Sequence, residues 1–111
     1  MQRDDRASVL DILESARMIL KYLSDKSWED FDVDYQCQDA VVRRFEIIGE
    51  ATARISDEMK VKSPTVPWRE MKNMRNLVIH QYDSVDYGQV WETAQRDLPV
   101  LIPLLEEILQ S

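Results

Sequence analysis

Two long stretches of this chain place apolar residues at steps of three and four, the spacing that lines one side of an α-helix. In the first, Val9, Leu10, Leu13, Ala16, Ile19, Leu20 and Leu23 follow Asp4 and Asp5. Carboxylates suit a helix N-terminus, so a helix is expected from residue 5 to about 24. The second runs through Tyr35, Ala40, Val41, Phe45, Ile48, Ala51 and Ile55 and predicts a helix over roughly 33 to 59, with the polar segment SDKSWEDFDVD as its connector. Residues 60 to 67 hold two prolines and no apolar periodicity, which reads as a loop. Pro67 suits the first position of a third helix, roughly 67 to 81, because its missing N–H has no intrahelical partner there. After DSVD a fourth pattern starts near Asp86 with Val90, Trp91, Ala94 and Leu98. Pro99 and Pro103 predict a kink or break before a last segment from Leu101 to Leu109. With two glycines and few β-branched runs bounded by turn signals, the chain is expected to be all-α. Its 111 residues suffice for one modest core, hence one domain over residues 1–111.

Charge narrows the function classes. A formal net charge of −7 argues against loose electrostatic adhesion to nucleic acid, and no DNA partner is expected. The middle of the chain differs: residues 43–82 carry eight basic side chains (Arg43, Arg44, Arg54, Lys60, Lys62, Arg69, Lys72, Arg75) against five acidic ones (Glu46, Glu50, Asp57, Glu58, Glu70), or 8 − 5 = +3. That is compatible with a confined phosphate site. The apolar run LPVLIPLL is too short to cross a bilayer, and the opening MQRDDRAS lacks the apolar core of a secretory signal, so a cytoplasmic protein with no membrane partner is expected. Cys37 has no second cysteine to pair with, and no cysteine or histidine stands beside it at metal-ligand spacing. It is expected to be a small buried residue, and no metal or cofactor is expected.

The chemistry-bearing residues cluster in RNLVIHQY, residues 75–82, which holds the only histidine of the chain. On a helix each residue advances about 100°, so Met71, Val78 and Ile79 lie within about 60° of Arg75, and Trp68 lies closer still. Arg75 is therefore expected on the apolar arc, where an unpaired charge costs several kcal/mol and must meet a carboxylate, a partner chain or a ligand phosphate. Glu46 and Glu50 are the internal candidates. His80 falls about 140° from Arg75 and about 40° from Asn76. The two functional groups converge only if the helix ends near His80 or a second copy of the chain completes the site. Taken alone, His80 suits a helix C-terminus and Tyr82 an aromatic packing residue with its hydroxyl outward.

The run R-N-L-V-I-H resembles the signature of HEPN-domain ribonucleases: an arginine, a polar residue, three apolar residues and a histidine. The following Q-Y is similar to the His-x-Tyr extension of HepT-type toxins. RRFEIIGEA at 43–51, VPWREMKNMRN and VWETAQRDLPVLIPLLEEIL resemble further blocks of that group in the same order, covering nearly the whole chain. The resemblance implies a four- to five-helix up-and-down bundle that forms a homodimer. It also implies a metal-independent endoribonuclease cleft built from the Arg/His motifs of both protomers. Arg75 and His80 would be the catalytic pair, Asn76 the supporting polar member, and Tyr82 the residue that a minimal nucleotidyltransferase antitoxin modifies with AMP. The alternative is a catalytically inactive helical adaptor or nucleotide-binding subunit of a nucleotidyltransferase complex.

Overall fold

The computed structural model describes residues 3–77 and 85–110. Within them the chain forms seven α-helices and one 3-10 helix, and no strand. Four long helices make the bundle: α1 (Arg3–Leu23), α3 (Tyr35–Ala53), α6 (Tyr87–Arg96) and α7 (Leu98–Gln110). Three short ones decorate it: α2 (Trp28–Val33), α4 (Asp57–Lys62) and α5 (Trp68–Lys72), the last running into the 3-10 helix Asn73–Leu77. α1 packs most extensively on α3 and also touches α6 and α7, while α3 carries α5 and the 3-10 helix on another side. No helix among the described residues is long and apolar enough to cross a membrane.

One continuous apolar core holds these elements. Val9, Ile12, Ala16 and Ile19 of α1 are fully buried, as are Val41, Phe45, Ile48 and Ala51 of α3, and Leu98, Leu101 and Leu105 of α7 come from the other side. Each of the valine, leucine, isoleucine and phenylalanine side chains contributes about 1.5–3 kcal/mol by leaving water, so the stripes read from the sequence supply most of the driving force.

The breaks between elements have local causes. The polar connector after α1 is itself helical: Ser27 and Asp30 form a reciprocal capping box, and Phe31 turns inward. Asp34 then caps α3 by accepting from the Cys37 N–H at 3.0 Å, and it also binds the Lys26 ammonium at 2.9 Å. The buried amide of Gln38 donates to the carbonyls of Phe31 and Asp32, which closes that corner.

The expected second helix of 33–59 is two helices. α3 stops at Ala53, and Ser56 starts α4 by accepting from the Met59 N–H at 3.2 Å. Asp5, buried in α1, fixes the corner by accepting from the Ser56 N–H at 2.9 Å and from its hydroxyl at 2.6 Å. α4 also occupies the start of the stretch expected as loop.

Toward the C-terminus the break falls at Asp97, two residues before the first proline, and α7 begins at Leu98 rather than Leu101. Pro99 sits in the first turn, where its missing N–H is harmless, and Pro103 is carried inside α7 with its ring exposed. An aromatic cluster of Trp28, Phe31, Tyr87 and Trp91, with contacting rings tilted or edge-on and centroids 5.5–6.3 Å apart, ties α2 to α6.

Candidate functional site

The segment carrying Arg75 follows a period of three. Trp68, Met71 and Met74 are buried and Leu77 is half-buried, whereas Arg69, Lys72 and Arg75, and likewise Glu70, Asn73 and Asn76, are exposed. A 3-10 helix advances 120° per residue, so residues three apart stack in columns. The switch from α to 3-10 geometry at Asn73 keeps Met74 over Met71 and rotates Arg75 away from the buried column.

This corrects the sequence expectation for Arg75. An uninterrupted α-helix would have set its stem among Trp68, Met71 and Val78; the tighter winding moves it off the Met71 column, so that its Cβ roots against Gly49 of α3 while the residue as a whole is exposed. Nor does it meet the carboxylates proposed for it. Glu46 and Glu50 both lie against Arg43, at 3.4 and 3.7 Å, and Arg75 has no ion pair among the described residues. Asn76 is exposed in the neighbouring column. His80 and Tyr82, with Val78 and Ile79, lie outside the described residues.

The backbone beneath Arg75 is held closely. Gly49 of α3 is buried against the 3-10 helix, and a Cβ placed on it would lie 2.7 Å from the Arg75 Cβ, 2.9 Å from the Arg75 N and 3.2 Å from the Lys72 carbonyl oxygen. Only a glycine lets the two segments approach so far. The preceding loop is pinned by the Trp68 indole, which donates to the Ser63 carbonyl at 3.0 Å. Arg75 thus presents a solvent-facing cation from a backbone fixed by α3. That arrangement suits an anion-binding arginine better than a structural one.

Gly49 is the residue that reading the sequence for chemistry passes over. Its signal is present, a lone glycine in an otherwise regular helical pattern, which weakens the helix and so calls for a packing reason. Elsewhere the structure offers less chemistry. Burial pushes the Cys37 thiol up, so it stands protonated near neutral pH, with its sulfur 3.9 Å from the Tyr22 carbonyl. Among the described residues no group of three His, Cys, Asp or Glu side chains is placed to hold a metal ion.

Comparison with known proteins assigns the family. The chain belongs to the HepT-like ribonucleases: the family model described as Ribonuclease HepT-like matches residues 12–108. The all-α bundle is accordingly of HEPN type. The chain is 38% identical over 108 residues to a protein named "Probable ribonuclease HepT" from Thermococcus cleftensis, covering 97% of this chain and 98% of that one. It is 39% identical over 98 residues to a "Putative RNase" of Methanocaldococcus jannaschii, covering 88% of this chain and 90% of the relative. A second protein of that organism, named "Gamma-glutamylcyclotransferase and putative RNase", is 41% identical over 110 residues. There the match covers 99% of this chain but spans only 48% of the relative's length. No solved structure matches the chain.

Proposed function

We propose that residues 1–111 form one HEPN domain that acts in the cytoplasm as a metal-independent endoribonuclease, with its cleft composed of the Arg75 and His80 side chains of two copies of the chain. The observation that carries this reading is Arg75 itself: exposed, free of any carboxylate among the described residues, and seated on Gly49. Cleavage of RNA without a metal needs a base for the 2′-hydroxyl proton, an acid for the departing 5′-oxygen, and positive charge on the phosphorane-like transition state. One chain supplies one imidazole, and a homodimer supplies two. One His80 takes the 2′-hydroxyl proton, the 2′-oxygen attacks phosphorus, and the second His80 protonates the 5′-oxygen as its bond to phosphorus breaks. The fragments end in a 2′,3′-cyclic phosphate and a 5′-hydroxyl. The two Arg75 guanidiniums hold the non-bridging oxygens through charge-assisted hydrogen bonds, and Asn76 supports the bound strand.

Regulation follows from Tyr82, two residues beyond His80. In the proposal a minimal nucleotidyltransferase antitoxin transfers AMP to its hydroxyl. The added phosphodiester competes for Arg75, and the adenosine fills the space of a base. The chain is then the toxin of a toxin–antitoxin pair.

The test is cleavage of RNA in EDTA by wild type, Arg75→Ala and His80→Ala, with oligomeric state measured for each. Activity lost in both variants while the dimer persists supports the enzyme, as does a rate profile bell-shaped about neutral pH. Undiminished activity in both variants removes the Arg/His mechanism, and a wild type that binds but never cuts leaves an adaptor. Silencing of Tyr82→Phe by the antitoxin as complete as that of wild type removes the AMP switch.

A further inference from the structure

Six cations of this chain have carboxylate partners among the described residues. Arg17 pairs with Glu106, Lys26 with Asp34, Arg43 with Glu46 and Glu50, Arg54 with Asp11, Lys62 with Glu58, and Arg96 with Glu92. Arg69, Lys72 and Arg75 are not among them: all three are exposed, and none has an ion pair among the described residues. Arg6, Lys21, Arg44 and Lys60 also lack an ion pair among the described residues, but 69, 72 and 75 are the one place where three cations stand at steps of three along a single segment.

Lys72 and Arg75 are three residues apart along the tightened end of the segment, stacked in one column and separated by roughly 6 Å of rise. Arg69 precedes them by one α-helical turn, about 4.5 Å lower and about 60° round. Beside this row runs a second exposed column of Glu70, Asn73 and Asn76, in which the two amides lie toward Arg75 and the carboxylate at the far end beside Arg69. Gly49 holds the Lys72–Arg75 backbone flat on α3, so the row is rigid at its root. A line of cations at successive steps of about 4.5 and 6 Å suits a chain of closely spaced phosphate monoanions, whose phosphates meet the cations and whose bases or riboses meet the amides of Asn73 and Asn76.

We propose that Arg69 and Lys72 form a phosphate-binding track for single-stranded RNA that continues from Arg75 and holds the strand on one side of the scissile linkage. The inference rests on the ribonuclease reading for its substrate and assigns two residues that reading does not use. Binding then divides by position: Arg75 acts on the phosphate that reacts, and Lys72 and Arg69 act on its neighbours.

The experiment measures binding of the full chain to a 2′-O-methyl oligonucleotide, which has no nucleophile, by fluorescence anisotropy across a salt series. Each of Arg69→Gln and Lys72→Gln is expected to weaken binding several-fold and to lower the slope of log K against log salt by about 0.7, the value for one lost contact to a single strand. On cleavable RNA both should raise KM more than they change kcat. Arg96→Gln, which removes a cation paired with Glu92 on α6, should leave the salt slope as it is. Unchanged slope and KM in both track variants overturn the inference even if RNA is cut, whereas oligonucleotide binding that follows the track with no cutting leaves it standing and removes the enzyme reading. Displacement of the oligonucleotide by polyglutamate at equal charge concentration, lost in the same variants, identifies a protein-docking surface instead and also overturns it.

Discussion

At the scale of single residues, the contact of Gly49 with Arg75 joins stability to activity. Replacing a helical glycine with alanine in open space gains about 0.5–1 kcal/mol in backbone entropy. Here the new methyl group would meet backbone and a Cβ, neither of which can swing aside, and overpacking of this kind costs about 1–3 kcal/mol. The second effect wins. Gly49→Ala is expected to lower the melting temperature by several degrees in a thermal scan, since about 1 kcal/mol moves a domain of this size by about 4–8 °C. Because the displaced atoms belong to Arg75, cleavage measured well below the melting point should fall too. A core variant of equal instability remote from α3 would keep its rate. Arg75 was legible as an odd residue but not in its placement: a 100° wheel put it on the apolar side, and only the change of helix type at Asn73 brings it out.

At the scale of elements, the long stripes were readable because their periodicity is strong, and α1, α3 and α6 start close to where their carboxylates and apolar residues predict. The short helices were not. α2 has six residues, and its inward Phe31 is surrounded by acids, so no window of helical period isolates it. The break between α3 and α4 hides because Ile55 continues the apolar stripe although it lies outside both helices; the cap at Ser56 and the Asp5 carboxylate decide the boundary. The prolines misled by one turn, since a helix can begin with one and carry another where its ring faces solvent. α2 earns its place by holding α6 through Phe31, which is fully buried within 6.2 Å of Trp28 and Tyr87 and 5.5 Å of Trp91. Phe31→Ala is expected to cost about 3–5 kcal/mol in urea unfolding, against the smaller loss usual for an exposed aromatic.

At the scale of the whole molecule, the acidic surface and the caps set the response to pH. Asp30 is held below the ordinary carboxylate range, chiefly by the Ser27 N–H and then by the Ser27 hydroxyl. Asp34 is held down first by its bond to Lys26 and then by the Cys37 N–H. A carboxyl whose folded value is depressed stabilises the fold fully above its unfolded value, near 3.9, and that stabilisation disappears as pH falls through the lower, folded value. Lowering pH below about 4 should therefore reduce the melting temperature, and Asp30→Asn with Asp34→Asn should flatten that fall. Equal acid sensitivity in wild type and the double variant would place the effect on other carboxylates. The family was legible from the motif blocks and the all-α class from apolar periodicity, whereas the ion pairing that leaves Arg69, Lys72 and Arg75 without carboxylates among the described residues depends on which helices meet.

The three-residue repeat from Trp68 to Leu77 bears on how such a chain can vary over time. Exchanging one side chain there alters one site on one column, but gaining or losing a single residue between Met71 and Arg75 would slide every later position by a third of a turn, turning methionine to water and arginine to the interior. Lineages of this protein should therefore tolerate spelling changes in that stretch far more readily than changes in its length.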